Sequence, residues 1–180
     1  HLAAESHVDI SINNPDIFIK TNVLGTHNLL KCSRSTQVKK FIHVSTDEVY
    51  GDLENNDLPF TENHPLKPNS PYSASKASSD LLVRSYFKTY NFPACITRCS
   101  NNFGPHQDDS KFIPVIINQA KQNKNIPVYG TGKNIRDWLF VKDHVQALFT
   151  VLDKGKLGDV YNIGANNEQQ NINIVKLILK

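Results

Sequence analysis

KFIHVST (residues 40–46), SASKASSDLLVRSYFKTY (residues 73–90) and PACITRC (residues 93–99) decide the fold. The first is an apolar run of strand length. In the second, Ala77, Leu81, Leu82, Tyr86 and Tyr90 fall on one helical face. The third reads as a buried strand. Strand, helix and strand in that order predict a right-handed parallel crossover, hence an α/β chain. Ser45 and Thr46 close the first strand, and strand ends of an open parallel sheet face the ligand crevice.

Outward from this unit, Asp16 is positioned to cap a helix running to about Ser33. Residues 51–71 are rich in Pro, Asn and Asp and predict a loop. Residues 102–109 predict a polar loop, 112–121 a helix, and 126–130 and 136–140 short strands around a Gly-rich turn. A helix over 141–152 and a strand over 160–163 follow, and 172–180 carries an amphipathic helical pattern. A boundary is expected near residues 100–111.

The chain has 180 residues, 39% hydrophobic and 21% charged, with a net charge of +3. That composition suits a globular domain with a real core. The basic residues are scattered, with one short pair at Lys39-Lys40, so nucleic acid is not an expected partner. No apolar run approaches the ~20 residues of a membrane span, and no signal-peptide pattern opens the chain. Cys32, Cys95 and Cys99 form no C-x-x-C pair, which argues for reduced thiols in a cytoplasmic setting and against a zinc site. His7 and His43 have no partners at metal-ligand spacing and read as structural, so no metal is expected. There is no methionine, and both ends of the sequence fall within element patterns. These features predict an internal piece of a longer protein.

Chemistry concentrates in two places. Tyr72 and Lys76 are four residues apart on a predicted helix and share a face. An ammonium there is expected to lower the pKa of the phenol, ordinarily about 10, so that it can accept a proton. Asp47 and Glu48 directly follow the strand end at Thr46. Two adjacent carboxyls can divide labour, one donating a proton and the other removing one.

Several ordered motifs carry a resemblance: HLAAESHVD, TNVLGTHNLL, FIHVSTDEVYGDL, SPYSASKASSDLLVRSYFKTY, CSNNFGP, RDWLFVKDH and YNIG. Together they resemble the dTDP-glucose 4,6-dehydratases, extended short-chain dehydrogenase/reductases that use NAD. The resemblance implies a Rossmann-type doubly wound parallel sheet, lacking its N-terminal strands and Gly-rich turn, with a smaller C-terminal substrate-binding α/β part. Residues 1–100 would be the C-terminal portion of the NAD-binding domain with the catalytic residues. Residues 101–180 would be mainly the nucleotide-sugar-binding part, interleaved with the sheet.

The resemblance also implies roles. Tyr72 matches the base for the sugar 4-hydroxyl, and Lys76 its partner on the nicotinamide ribose. Thr46 matches the residue that hydrogen-bonds the sugar near Tyr72. Asp47 matches the acid for the departing 6-hydroxyl, and Glu48 the base for the carbon-5 proton. Leu2, Ala3, Ala4 and Glu5 match the strand end that skirts the cofactor. Thr21 and Asn102 match further cofactor contacts. Ser6 and Asn101 match substrate contacts. Lys111, Phe112, Pro127, Val128, Tyr129, Arg136 and Asn171 match the nucleotide-sugar pocket, where a guanidinium such as that of Arg136 grips a diphosphate. Trp138 is expected to pack beneath Arg136.

Departures exist. Ile10 stands where the family has arginine, Phe103 where tyrosine is common, and Asp108-Asp109-Ser110 replaces an apolar-acidic stretch. The Gly-rich phosphate turn and the C-terminal pocket loop of the family have no counterpart in these residues. Alternatives are a UDP-glucose 4,6-dehydratase, another nucleotide-sugar epimerase or decarboxylase, or an inactive fragment that at most binds sugar nucleotide. A homodimer through the helices at 17–33 and 73–90 is expected by the same resemblance.

Overall fold

A computed structural model describes residues 1–53 and 57–180. Its helices are α1 (Val8–Asn13), α2 (Pro15–Phe18), α3 (Gly25–Ser35), α4 (Pro71–Tyr90), α5 (Phe112–Lys121), α6 (Val141–Lys154) and α7 (Asn171–Ile178). Its strands are β1 (Phe41–Thr46), β2 (Ala94–Cys99), β3 (Asn101–Phe103), β4 (Ile135–Phe140), β5 (Val160–Ile163) and β6 (Glu168–Gln170). A π-helical turn (Ile19–Leu24) joins α2 to α3, and a 3-10 turn (Asp47–Tyr50) follows β1. The chain divides into two compact units. One comprises His1–Cys99 and Ala147–Ile163, the other Ser100–Gln146 and Gly164–Lys180.

The first unit contains a parallel sheet of order β1-β2-β5, with Phe41 opposite Ala94 and Thr46 opposite Cys99. The expected strand–helix–strand crossover is therefore present. His1 runs beside β1: its N donates to Ile42 O, and Val44 N donates to His1 O. The core gathers Leu30, Phe41, Val83, Tyr86, Phe92, Ala94 and Ile96. A second cluster, Val49, Tyr50 and Ala77 with Phe60 and Leu66, lies under the 3-10 turn. Lys40 closes the end of α6, donating from Nζ to the carbonyls of Val151, Leu152 and Gly155 at 2.7–2.9 Å. A cation there satisfies carbonyls that a helix C-terminus leaves open.

In the second unit β4 lies between β3 (parallel) and β6 (antiparallel). Two expectations fail here. Residues 126–130 form no strand, because both edges of β4 are already occupied and Pro127 has no N–H to give a ladder. The predicted loop over 102–109 instead begins within β3. In the first unit, the expected helix from Asp16 starts at Pro15 after Asn14, and no side chain caps it. The described part of the predicted loop 51–71 contains no helix or strand before α4; residues 54–56 lie outside the described residues. Among the described residues no helix is long and apolar enough to cross a membrane.

Candidate active site

The acid pair is set by the end of β1. Thr46 leaves the strand and caps the 3-10 turn: its Oγ1 accepts from Glu48 N at 3.2 Å and donates to Asp47 Oδ1 at 3.3 Å. Helix α4 starts with a reciprocal capping box. Ser73 N donates to Ser70 Oγ at 3.1 Å and Ser70 N to Ser73 Oγ at 3.0 Å, with Pro71 in the first turn. Such caps hold a helix start in place. Tyr72 follows at once, buried, with its ring edge-on to Phe18 at 6.3 Å. Its phenol hydrogen-bonds Thr46, and its acidity responds to Glu48 and Asp47. The four residues Thr46, Asp47, Glu48 and Tyr72 therefore meet.

The phenol's pKa is not lowered. Burial raises it, the charges of Glu48, Cys99 and Asp47 add to the rise, and the Thr46 hydrogen bond opposes it. The expected depression by Lys76 fails for a geometric reason. Spacing of four aligns the two side chains, but the lysine runs down to the sheet, where Nζ donates to Val44 O at 2.8 Å. Burial lowers the ammonium's own pKa, while Asp80 and Cys99 support the charged form.

A buried polar set behind these residues escapes a motif search. Asp80, one turn beyond Lys76, accepts from Arg98 Nε at 3.0 Å and lies 3.4 Å from His43 Nε2. Arg98 Nη1 donates to Tyr50 Oη at 2.8 Å, and Tyr50 Oη donates to Asn162 Oδ1 at 2.7 Å. His43 is structural, as expected, and burial keeps its imidazole pKa below the ordinary range. The available signals were faint: an aspartate on an inward helical face and an arginine inside an apolar strand.

Asn22 is the other residue missed. It lies in the π-helical turn, 1% exposed. Its Oδ1 accepts from Glu5 N at 2.8 Å, and its Nδ2 donates to Glu5 O and Ser75 Oγ. This clamps the stretch holding Leu2, Ala3, Ala4, Glu5 and Ser6 to helix α4. Leu2, Ala3 and Ser6 are exposed, while Ala4, Glu5 and the neighbouring Thr21 are half-buried. These features fit a cofactor edge. Small side chains permit close approach, and the ammonium of Lys76 has three donors with Val44 O occupying one. A ribose hydroxyl suits the others.

The second unit carries the remaining expected residues. Asn102 Oδ1 accepts from His144 Nδ1 at 2.8 Å, its Nδ2 donates to Ser100 O, and Asn101 is its half-buried neighbour in β3. Phe112 stacks on the buried Trp138 at 5.8 Å, and Lys111 N-terminally flanks α5. Arg136 is exposed and donates to its own strand at Ile135 O. Gly132 draws Val128 and Asn171 together: Ile172 N donates to Gly132 O and Asn171 N to Asn134 O. A Cβ at Gly132 would lie 2.8 Å from Val128 Cγ1 and 3.1 Å from Ile172 Cβ, at φ +69°. Pro127 and Tyr129 are exposed on that turn. Trp138 packs in the core as expected.

The whole chain, residues 1–180, matches the family model described as GDP-mannose 4,6 dehydratase. A dTDP-glucose 4,6-dehydratase of Neisseria meningitidis is 52% identical over 99% of this chain and 53% of its own length. Among solved structures, a dTDP-glucose 4,6-dehydratase from Streptomyces venezuelae with NAD bound superposes with a TM-score of 0.96 at 45% identity. It covers 99% of this chain and 55% of that one. A UDP-glucuronic acid 4-epimerase from Bacillus cereus gives 0.93 at 28% identity, over 99% and 57%. The chain spans about half the length of these relatives. The parallel sheet of the first unit is the Rossmann-type sheet of those structures. By fold and by sequence, this chain belongs to the GDP-mannose 4,6-dehydratase family.

Proposed function

We propose that these residues form the sugar-side half of an NAD-dependent dTDP-glucose 4,6-dehydratase. The observation that carries this is a shared hydroxyl: Thr46 contacts Asp47, the Glu48 backbone and the Tyr72 phenol at once. The relatives' names supply the substrate class, a nucleotide-diphosphate sugar. When bound, NAD would supply the hydride chemistry, an acceptor for the hydride of carbon 4 and a donor of it to carbon 6.

The chain's own groups do the proton work. Tyr72 Oη takes the proton of the 4-hydroxyl, and Lys76 holds the nicotinamide ribose. The resulting 4-ketone acidifies the carbon-5 proton, which Glu48 removes and gives back to carbon 5 after the 6-hydroxyl has been replaced by hydride. Asp47 gives its proton to the 6-hydroxyl, which departs as water. For that role Asp47 starts protonated. A neutral Asp47 no longer adds its charge to the rise in the Tyr72 pKa, and it frees the Thr46 hydrogen to support a phenolate. The acid's readiness thus favours the base's.

Within this reading, Leu2, Ala3, Ala4, Glu5, Thr21 and Asn102 take the cofactor side. Ser6, Asn101, Lys111, Phe112, Pro127, Val128, Tyr129, Arg136 and Asn171 take the nucleotide sugar. The three free thiols support a reducing cytoplasmic setting. A homodimer through the helical stretches 17–33 and 73–90 is supported by the exposed Leu24, Leu29 and Leu81; sedimentation of the full-length protein at twice the monomer mass is the expected result.

The test uses the full-length protein and dTDP-glucose. Tyr72→Phe is expected to abolish oxidation at carbon 4. Asp47→Asn is expected to slow water loss about 100-fold or more while the 4-ketone still forms. Normal release of the 4-keto-6-deoxy sugar by Asp47→Asn would overturn its assignment. The likeness to the Bacillus cereus epimerase favours one second reading, a UDP-sugar 4-epimerase. It predicts inverted 4-hydroxyl product, no loss of water, and indifference to Asp47→Asn.

A further inference from the structure

We propose that Tyr50 is a positioning residue for the Asp47–Glu48 acid pair, braced by Arg98 against helix α4. The proposal rests on the roles given above for Asp47, Glu48 and Tyr72. The 3-10 turn is four residues long; Asp47 opens it and Tyr50 ends it. Any shift of Tyr50 therefore moves both carboxyls.

Tyr50 is held from three sides. Its ring stacks on Phe60 at 4.9 Å, and the Arg98 guanidinium lies over it at 4.8 Å. Its hydroxyl accepts from Arg98 Nη1 and donates to Asn162 Oδ1. Arg98 in turn binds Asp80 through Nε at 3.0 Å. Asp80 sits on α4, one turn from Lys76 and two from Tyr72. The path Tyr50–Arg98–Asp80 thus ties the acid turn to the helix that carries the phenol. A rigid guanidinium fork suits this, because it keeps two partners at a fixed separation.

Packing alone does not require the hydroxyl. Phenylalanine would fill the same cluster beside Val49 and Ala77 without burying a polar group. What the hydroxyl adds is direction. Elimination needs both carboxyls aimed at neighbouring sugar carbons, whereas in oxidation Tyr72 takes the proton and neither carboxyl has to meet the sugar. Loss of the brace should therefore harm elimination selectively, since a displacement near 1 Å can cost ~100-fold.

The experiment measures dTDP-glucose turnover by the full-length protein with its bound cofactor, following reduced nicotinamide absorbance at steady state. Tyr50→Phe is expected to lower kcat ~10-fold or more with KM changed less than about twofold, and to raise the reduced fraction of cofactor. Arg98→Lys, which offers a point charge instead of a fork, should bias the partition the same way. It decides the matter if Tyr50→Phe does not fold. An unchanged reduced fraction, or equal loss of both half-reactions, overturns the proposal even where the melting temperature falls. Asp47→Asn is run alongside. If it too fails to accumulate reduced cofactor, the acid assignment itself falls and the brace with it; if it accumulates reduced cofactor and Tyr50→Phe does not, the brace alone is overturned.

Discussion

Lys76, Asp80 and Arg98 in the first unit are 5, 2 and 6% exposed, whereas in the second unit Arg136 is exposed and Tyr129 is 71% exposed. The first group is cross-linked by hydrogen bonds that reach from β1 and β2 to α4. The second hangs from a turn and a strand end. Under the proposed function, the first group backs the residues assigned to proton transfer, which tolerates little error in distance. The second would meet a flexible nucleotide sugar with side chains that can adjust on arrival.

The largest expected effect removes the centre of the buried set. Asp80→Ala leaves Arg98 without its carboxylate and should cost about 3–5 kcal/mol, the usual penalty for an uncompensated buried charge. Urea unfolding of the full-length protein checks it. A loss below ~1 kcal/mol would mean that the first unit is no more tightly held than the second, erasing the contrast. A smaller effect probes the other region. Gly132→Ala introduces a Cβ against Val128 and Ile172 at a left-handed φ. It should cost ~1–3 kcal/mol. Hydrogen exchange should quicken at the amides of Asn171 and Ile172 and stay unchanged at Glu48. Equal quickening at all three would show that the two regions do not respond separately.

The sheet core was open to reading because β1, β2 and β5 are short runs of strand length. Helix α4 was legible as a helix, but its inward face was not, since Leu81 and Tyr90 are exposed while Ser75, Ser79 and Asp80 are buried. Strands β3 and β6 are three residues long, too short to establish alternation. The π-helical turn leaves no mark in a count of apolar spacing. The acid pair, the phenol and Lys76 were legible as motifs, yet the phenol's acidity was misjudged. Spacing states which face a lysine shares with a tyrosine. It does not state that a strand carbonyl, Val44 O, captures the ammonium. Asp80, Arg98 and Tyr50 meet only through the fold, being 18 and 48 positions apart in sequence. No local pattern announces a contact of that kind.

Phe18, Asn22, Thr26 and Leu30 are all buried, at a strict interval of four. In a regular α-helix that interval advances the inward row by about 40° each time, so the row would wind away from any one neighbour. The wider turn at Ile19–Leu24 rotates less per residue and turns the row back. What it conserves is phase: the segment keeps a single side toward the sheet and α4 along its whole course. A chain one residue shorter there would regain ordinary helical bonding and swing Thr26 and Leu30 by about 100° out of the core.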